Sequence, residues 1–547
     1  MKNMTLMNIS KACSGTLYTM GSSGSEWDAL MREAEASCVV IDSRKVERGG
    51  IFIATRGEKV DGHSFISEVA EKGALGVVCE ELPENCEVPC ILVKDSFQAL
   101  KEIAEFYRKQ LAVRVVGITG SVGKTSTKEF IAAVLSVKYK VLKTMGNFNN
   151  EIGLPLTVLS IREEHEVAVL EMGISDFGEM HRLSKIARPD ICVMTNIGRC
   201  HLENLGSREG IFKAKSEIFD FMNPEGYVFV NGDDNLLANI KQKGSHKVVH
   251  FGLNPSNEIY ASSVTGRGSF GSHAVIHIKL ENQPMEIFPA EIPLPGGHMV
   301  LNALAAAGVG MQLALTAEEV KRGIAQVEEV GGRGNVVTLT DYTLIDGCYN
   351  ANPESMRAAV GLLLLAQGRK VAVLGDMFEL GEKEEELHAE VGAYVQEKEI
   401  DVLICVGRLS KNMYEGAVSS RKAKGAEVYY FEGRDEMLSE LPGLLKKGDT
   451  ILVKASHGMH FEKVVEFLQK ESRLLKPCCF FYLKIRFFYD ILGISADSLL
   501  VLLWKLFDIN GISVFKNHFG LFDFGKMVLK NIRGVINGHG NNGASCF

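Results

Sequence analysis

The chain has 547 residues, 46% hydrophobic and 23% charged, a globular composition for about three to five domains that excludes a disordered chain. Lys and Arg number 60 against 68 Asp and Glu, and the net charge of −8 leaves no electrostatic footprint for nucleic acid. The 12 Cys show no CxxC pairing, no run of about 18 uncharged apolar residues occurs and the N-terminus lacks an apolar core, so zinc ribbons, membrane-spanning helices and a signal peptide are not expected and a cytoplasmic chain with reduced thiols is.

In chain order the pattern gives three α/β blocks and a tail. The first block, 1–112, holds an apolar run at Gly50–Ala54, a helical stretch at Ser64–Lys72, a strand-like run at Gly76–Cys79 and a helix over Phe97–Gln110. The second, 113–328, opens with a strand at Val113–Ile118 and has buried-strand candidates at Val167–Leu170, Ile191–Thr195 and Tyr227–Val230. Helical patterns lie between them, which predicts a mostly parallel sheet. The third, 329–470, repeats the logic with strands at Thr343–Ile345, Lys370–Leu374, Val402–Val406 and Thr450–Val453. Its acidic run Glu382–Glu386 predicts a solvated helix start, because like charges do not share a core. The tail, 471–547, has nine Lys or Arg against five Asp or Glu and ten of the chain's 28 Phe, so its composition differs from the body.

The strongest local feature is Gly117-Ile-Thr119-Gly120-Ser121-Val122-Gly123-Lys124-Thr125, followed by Ser126, between an apolar strand and a helix that starts near Lys124. Glycines there let backbone N–H groups turn toward a phosphate, and the helix start adds partial positive charge. Lys124 has the reach for β- and γ-phosphates, and the Thr125 hydroxyl suits Mg²⁺. The usual spacing would put the first glycine at Ile118; here glycines stand at 117 and 120. The plain alternative is a glycine-rich strand-to-helix turn. Glu171 closes an apolar run, at the strand end where open α/β sheets bind ligands, and is a metal candidate; a surface Glu is the alternative. His201, just past the strand Ile191–Thr195, is either a ligand or a structural His.

Several segments together resemble the Mur ligase family, ATP-dependent amide-forming enzymes of bacterial cell-wall synthesis. Thr119–Thr125 resembles its phosphate loop, Asn147–Thr157 its asparagine-rich segment, and Glu171-Met-Gly173 with Thr195–Ile197 and His201–Glu203 its metal-binding stretches. Ala214–Ile218 is similar to the stretch whose lysine is carbamylated, which implies that modification at Lys215; spacing alone reads Lys215 as an exposed helix lysine. Asp42–Arg44 and Gly57–His63 resemble segments that hold a UDP-linked sugar. Tyr349–Met356 points to the member that adds D-alanyl-D-alanine to a UDP-N-acetylmuramoyl-tripeptide, and Leu374–Gly381 and Leu452–Met459 extend the match, which covers 40–468.

The resemblance implies a three-domain architecture: a central P-loop ATPase domain between two smaller α/β domains, a UDP-substrate domain and a Rossmann-like ligase domain, followed by a C-terminal extension. It implies ATP and Mg²⁺, with Asn302 and Asp346 joining the phosphate loop at the nucleotide. Thr125, Glu171, His201 and Lys215 would hold metal, and Lys124, Lys215, His201 and Arg333 would serve catalysis. Ser43, Arg44, Asp61, His63, Asn149, Asn150, Tyr349, Asn350 and Asn352 would contact substrate. For Tyr349, Asn350 and Asn352 the alternative is a polar strand-to-helix loop in which Asn352 caps a helix and Pro353 enters its first turn; for Arg333 it is a linker arginine. The chain departs from the family pattern at Met299, at Gly347-Cys348, at Asn335 and at His457. A monomer is expected.

The rival readings are another Mur-type or folate-polyglutamate-like ligase, and a nucleotide-binding regulatory protein that has lost ligation. In the tail, Phe480–Tyr489 and Ser498–Phe507 are apolar, aromatic and flanked by bases, the pattern of an interfacial membrane helix. Packing on the body or a partner, and a non-native reading-frame extension, are the other readings of that segment.

Overall fold

The structure, a computed structural model, describes residues 1–18, 33–84, 88–241, 244–281, 284–328, 331, 334–421 and 425–471. The expectations for Arg333 and for the tail beyond 471 therefore lie outside the described residues.

Three sheets carry the fold. The first has the order β1-β5-β4-β3-β2, from β1 (Thr16–Tyr18), β2 (Val39–Val40), β3 (Ile51–Ile53), β4 (Gly76–Cys79) and β5 (Cys90–Leu92). All neighbours run parallel except β1 on β5. The expected helix over Ser64–Lys72 opens as a 3₁₀ turn at Gly62–Phe65 and becomes α-helical only at Ile66–Glu71.

The central sheet has nine strands: β6 (Arg114–Thr119), β7 (Val141–Lys143), β8 (Val167–Glu171), β9 (Ile191–Met194), β10 (Tyr227–Asn231), β11 (Lys247–Gly252), β12 (Ile259–Gly266), β13 (Ser272–Ile278) and β14 (Glu286–Ile292), in the order β14-β13-β12-β11-β10-β9-β6-β8-β7. From β7 to β12 every pairing is parallel, as expected. The antiparallel hairpins β12–β13 and β13–β14 are an addition that the expectation of a helix-alternating block missed. β6 is an inner strand, third from one edge, and is apolar on both faces. Val116 and Ile118 pack with Phe130, Ile131 and Val134 of the helix Lys124–Ser136, while Val115 packs on the other side with Leu100, Ile103 and Tyr107. This two-sided burial fixes where the strand ends, and so where the glycine loop begins.

The third sheet has the order β15-β16-β20-β17-β18-β19, from β15 (Asn335–Thr338), β16 (Thr343–Asp346), β17 (Lys370–Gly375), β18 (Val402–Val406), β19 (Glu427–Phe431) and β20 (Thr450–Lys454). Only β15 is antiparallel. The acidic run does start a helix, Glu384–Gln396, with Glu385 and Glu386 exposed in its first turn. Acidic side chains there also favour the positive end of the helix.

Candidate functional site

The loop after β6 is shaped by two glycines. Gly120 has φ +148° and a Cβ there would stand 1.9 Å from Thr195 Oγ1; Gly123 has φ +83° directly before the helix Lys124–Ser136. Neither position accepts an L side chain without strain. The end of β9 pins the loop. Val122 N–H donates to Asn196 Oδ1 at 3.0 Å, and the Val122 carbonyl accepts from Asn196 Nδ2 at 3.0 Å and from Thr195 Oγ1 at 2.6 Å. Thr195 and Asn196, expected in a metal-binding stretch, brace the phosphate loop. Lys124 donates from Nζ to the Gly120 carbonyl at 2.7 Å, which curls its ammonium over the same turn.

Glu171 ends β8 and is fully buried, so the surface alternative falls. Its carboxylate accepts from Thr125 Oγ1 and from Asn149 Nδ2, both at 2.8 Å, and Lys128 Nζ lies 3.9 Å away. Lys128 is itself buried and donates to the Thr144 carbonyl at 2.7 Å. Asn149, expected to touch substrate, spends its amide on orienting Glu171. The side-chain oxygens of Thr125 and Glu171 form a hard-donor pair that suits Mg²⁺, an ion that takes few carboxylates and completes its shell with phosphate and water. No cluster of three or more His, Cys, Asp or Glu occurs among the described residues, and such an ion needs none.

His201 adopts φ +54° after β9, and its Nδ1 lies 2.5 Å from Glu379 Oε2 in the third domain. That contact holds the Glu379 carboxyl below its usual range, against the upward push of burial. Lys215, on the helix Arg208–Ser216, is not the exposed lysine that spacing suggests: it is fully buried and its Nζ has no hydrogen-bond partner among the described residues. Burial is the main cause that pulls its ammonium from 10.5 down to about 8; the charge of Lys124 adds to this, and Cys200 and Glu179 oppose it.

A cavity of about 720 Å³ joins these parts. Ser121, Val122, Gly123, Lys124 and Ser126 of the phosphate loop line it, with Asn149, Asn150 and Glu171 beside them. His201 and Asn302 close it from the central domain, and Tyr349, Asn350, Asn352 and Lys454 from the third domain. Asn302 Oδ1 accepts from Thr127 Oγ1 at 2.9 Å, which ties the helix His298–Gln312 to the phosphate-loop helix. A second cavity of about 230 Å³, lined by His201, Tyr349, Asn350, Phe378 and His457, adjoins the same loops.

Other expected positions stand apart from both cavities. Thr119, Gly120, Thr125 and Lys215 do not line either one, and Thr125 reaches the site through Glu171. Asp346, expected at the ribose, lies outside the lining and accepts from the Cys348 N–H at 3.1 Å. Asn352 does cap the helix Pro353–Leu363 by accepting from Ser355 N–H at 2.9 Å, as its structural alternative foresaw, while still facing the cavity. Asn150 likewise accepts from Gly153 N–H at 2.9 Å.

Ser43, Arg44, Asp61 and His63 line neither cavity. They follow β2 and β3, parallel neighbours, so both loops leave the same edge of the first sheet. There Asp42 accepts from Arg44 Nη2 at 2.8 Å, and Asp61 accepts from His63 N–H at 2.9 Å. Sequence reasoning passed over Lys128, Glu379 and Lys454 as site residues; Glu379 and Lys454 were hinted at only by their places in longer motifs, and Lys128 by none.

Comparison with known proteins gives three adjacent matches: the Mur ligase family, catalytic domain, over residues 35–113; the Mur ligase middle domain over 118–310; and the Mur ligase, glutamate ligase domain over 332–457. Among curated relatives, the UDP-N-acetylmuramoyl-tripeptide–D-alanyl-D-alanine ligase of Bacillus subtilis is 40% identical over 437 residues, 79% of this chain and 92% of that protein. The Escherichia coli ligase of the same name is 36% identical over 79% of this chain and 94% of its own length. Among solved structures, MurF from Acinetobacter baumannii aligns with TM-score 0.75 at 31% identity, over 85% of this chain and 98% of that one. The MurF ligase of Thermotoga maritima in complex with ADP aligns with TM-score 0.68 at 30% identity, over 79% and 97%.

Proposed function

This chain belongs to the Mur ligase family, and on that premise we propose that it is an ATP-dependent ligase joining D-alanyl-D-alanine to a UDP-N-acetylmuramoyl-tripeptide in peptidoglycan precursor synthesis. The observation that carries this is the shared cavity, where the phosphate loop of one domain and the Tyr349–Asn352 loop of another face one space.

A carboxylate does not condense with an amine at neutral pH, because its oxygen leaves poorly. Transfer of the γ-phosphoryl of ATP to the tripeptide carboxylate makes an acyl phosphate. Attack by the dipeptide amine then forms the C–N bond, expels phosphate and loses one proton. Two anions meet in the first step, so cationic groups dominate its barrier. Lys124 serves the β- and γ-phosphates and stabilises the charge that spreads over the transferring group. Thr195 and Asn196 keep the loop in place, and the N–H groups at the start of the helix Lys124–Ser136 donate to phosphate oxygens. Tyr349, Asn350 and Asn352 orient the dipeptide, and Ser43, Arg44, Asp61 and His63 hold the UDP end of the acceptor.

Mg²⁺ neutralises phosphate charge when bound, with Thr125 and Glu171 as its first protein donors and His201 with a carbamylated Lys215 as a second set. The buried amine of Lys215 fits that modification: it lacks a hydrogen-bond partner among the described residues and its proton is already weakly held. Addition of CO₂ to Nζ forms an N–C bond, releases a proton and turns a buried cation into an anionic oxygen donor. ATP and a nucleotide-linked peptide are cytoplasmic substrates, which supports a cytoplasmic enzyme, and no helix among the described residues is long and apolar enough to cross a membrane.

The test is ADP release with and without D-alanyl-D-alanine, across UDP-muramoyl tripeptides with different third residues, with the product weighed by mass spectrometry. ADP release that ignores the dipeptide sinks the proposal.

A further inference from the structure

Arg199 lies in the loop after β9, two residues before His201, on the face of the central domain turned to the third domain. Its backbone N–H donates to Glu354 Oε2 at 3.0 Å, its Nε to Glu354 Oε1 at 2.9 Å and its Nη1 to Glu390 Oε2 at 2.9 Å. Glu390 also accepts from Arg357 Nη2 at 3.1 Å, and the Arg357 guanidinium lies 5.2 Å over the Tyr394 ring. Gly198 makes room for this contact, since a Cβ there would stand 3.1 Å from the Glu354 carboxylate. One arginine therefore takes two carboxylates from two helices of the other domain, Pro353–Leu363 and Glu384–Gln396.

The helices that supply these carboxylates lead back to the site. Glu354 follows Pro353 in the first turn of the helix capped by Asn352, so holding Glu354 holds the Tyr349–Asn352 loop that lines both cavities. The Arg199 end belongs to the loop that carries His201. We propose that Arg199 is a positioning residue that clamps the third domain onto the central domain and sets the dipeptide-facing loop against the phosphate loop. This rests on the ligase reading above. Arg199 touches no reacting atom; it acts through Glu354. The planar fork of arginine matches two carboxylates in a way that a lysine point charge does not.

The experiment compares the full-length chain with Arg199→Ala, Arg199→Lys, Glu354→Ala and the Arg199→Ala/Glu354→Ala double variant. Arg199→Ala raises KM for D-alanyl-D-alanine about tenfold while KM for ATP moves less than about twofold, as expected for loss of a charge-assisted fork. Arg199→Lys falls between, and the double variant is no worse than Arg199→Ala alone, because the two residues share one interaction. The wild-type KM for the dipeptide climbs with salt and that of Arg199→Ala does not, since partly exposed ion pairs are screened. Melting curves taken alongside separate this from misfolding. An unchanged dipeptide KM, equal rises in both KM values, or strictly additive effects in the cycle overturn the proposal. If the wild type shows no dipeptide-dependent ADP release, the ligase reading is what fails. Small-angle scattering then tests the clamp alone: a larger radius of gyration in Arg199→Ala supports it, and identical curves overturn it.

Discussion

Lys215→Met gives the sharpest test of the second metal set, because the wild-type side chain is an anomaly that the structure explains in one direction only. A fully buried ammonium whose pKa falls from 10.5 to about 8 gives up a proton on folding more readily than the unfolded chain does. Between those two values the unfolded state binds the extra proton, so stability rises with pH across that window and the cost is fully present below about 8. A gap of that size corresponds to about 3 kcal/mol at neutral pH. The same gap raises the fraction of nucleophilic amine at neutral pH on the order of 300-fold over an ordinary lysine. In CO₂-free buffer at pH 7, Lys215→Met is therefore more stable than the wild type by up to about 3 kcal/mol, and the difference fades as the pH passes about 10. Bicarbonate shrinks the difference by converting the wild-type amine to a carbamate with a metal to hold. Urea melts across pH, with and without bicarbonate, read the stability. Turnover is lost in Lys215→Met and Lys215→Ala, and a small added carboxylate restores part of it in the alanine variant. A variant with wild-type turnover, or a stability difference flat from pH 7 to about 11, refutes the reasoning.

Two further outcomes follow from the geometry and one from the sequence of the tail. Lys124→Ala loses about two to three orders of magnitude in kcat, the cost of one preorganised contact to developing charge, measured by steady-state ADP release. Gly120→Ala, whose Cβ would collide with Thr195, abolishes nucleotide binding by calorimetry, because the loop must shift even though the rest of β6 stays packed. For the tail, the membrane-contact reading expects the full chain but not a 1–470 truncation to float with anionic liposomes; equal behaviour removes that role.

How much of this was legible in the sequence depended on the range of the interactions. The phosphate loop was readable because strand, glycines and helix start are consecutive, and each leaves a local mark. The parallel strands were readable because burial on both faces leaves unbroken apolar runs such as Val167–Leu170. The hairpins β12–β14 were missed although β13 alternates buried and half-buried residues along Ser272–Ile278. β14 hides its signal behind Pro289 and exposed Ile287, which is tolerable only because it is an edge strand. β1 and β2 are too short to show any period. The burial of Lys215 and the bracing of the loop by Asn196 are invisible along the chain, since they arise from contacts tens of residues apart. Asn352 was ambiguous for a different reason: it caps a helix, as one reading proposed, and it also faces the cavity, where the other reading would have it meet substrate.

The site combines a rigid half with a reversible half, and the strengths of their bonds explain the split. The central-domain half is buried: Glu171 accepts one hydrogen bond each from Thr125 and Asn149 and is faced by Lys128, and losing one partner would leave a buried charge less well paired. The third-domain half is held by partly exposed pairs, Arg199 with Glu354 and Glu390 and His201 with Glu379, each contributing about 0–1 kcal/mol. A few such pairs are enough to bias closure and too weak to forbid opening. A ligase that must admit a UDP-linked peptide, ATP and a dipeptide, and then release a larger product, needs that asymmetry: phosphate chemistry requires a preformed cradle, while substrate entry requires a domain that lets go.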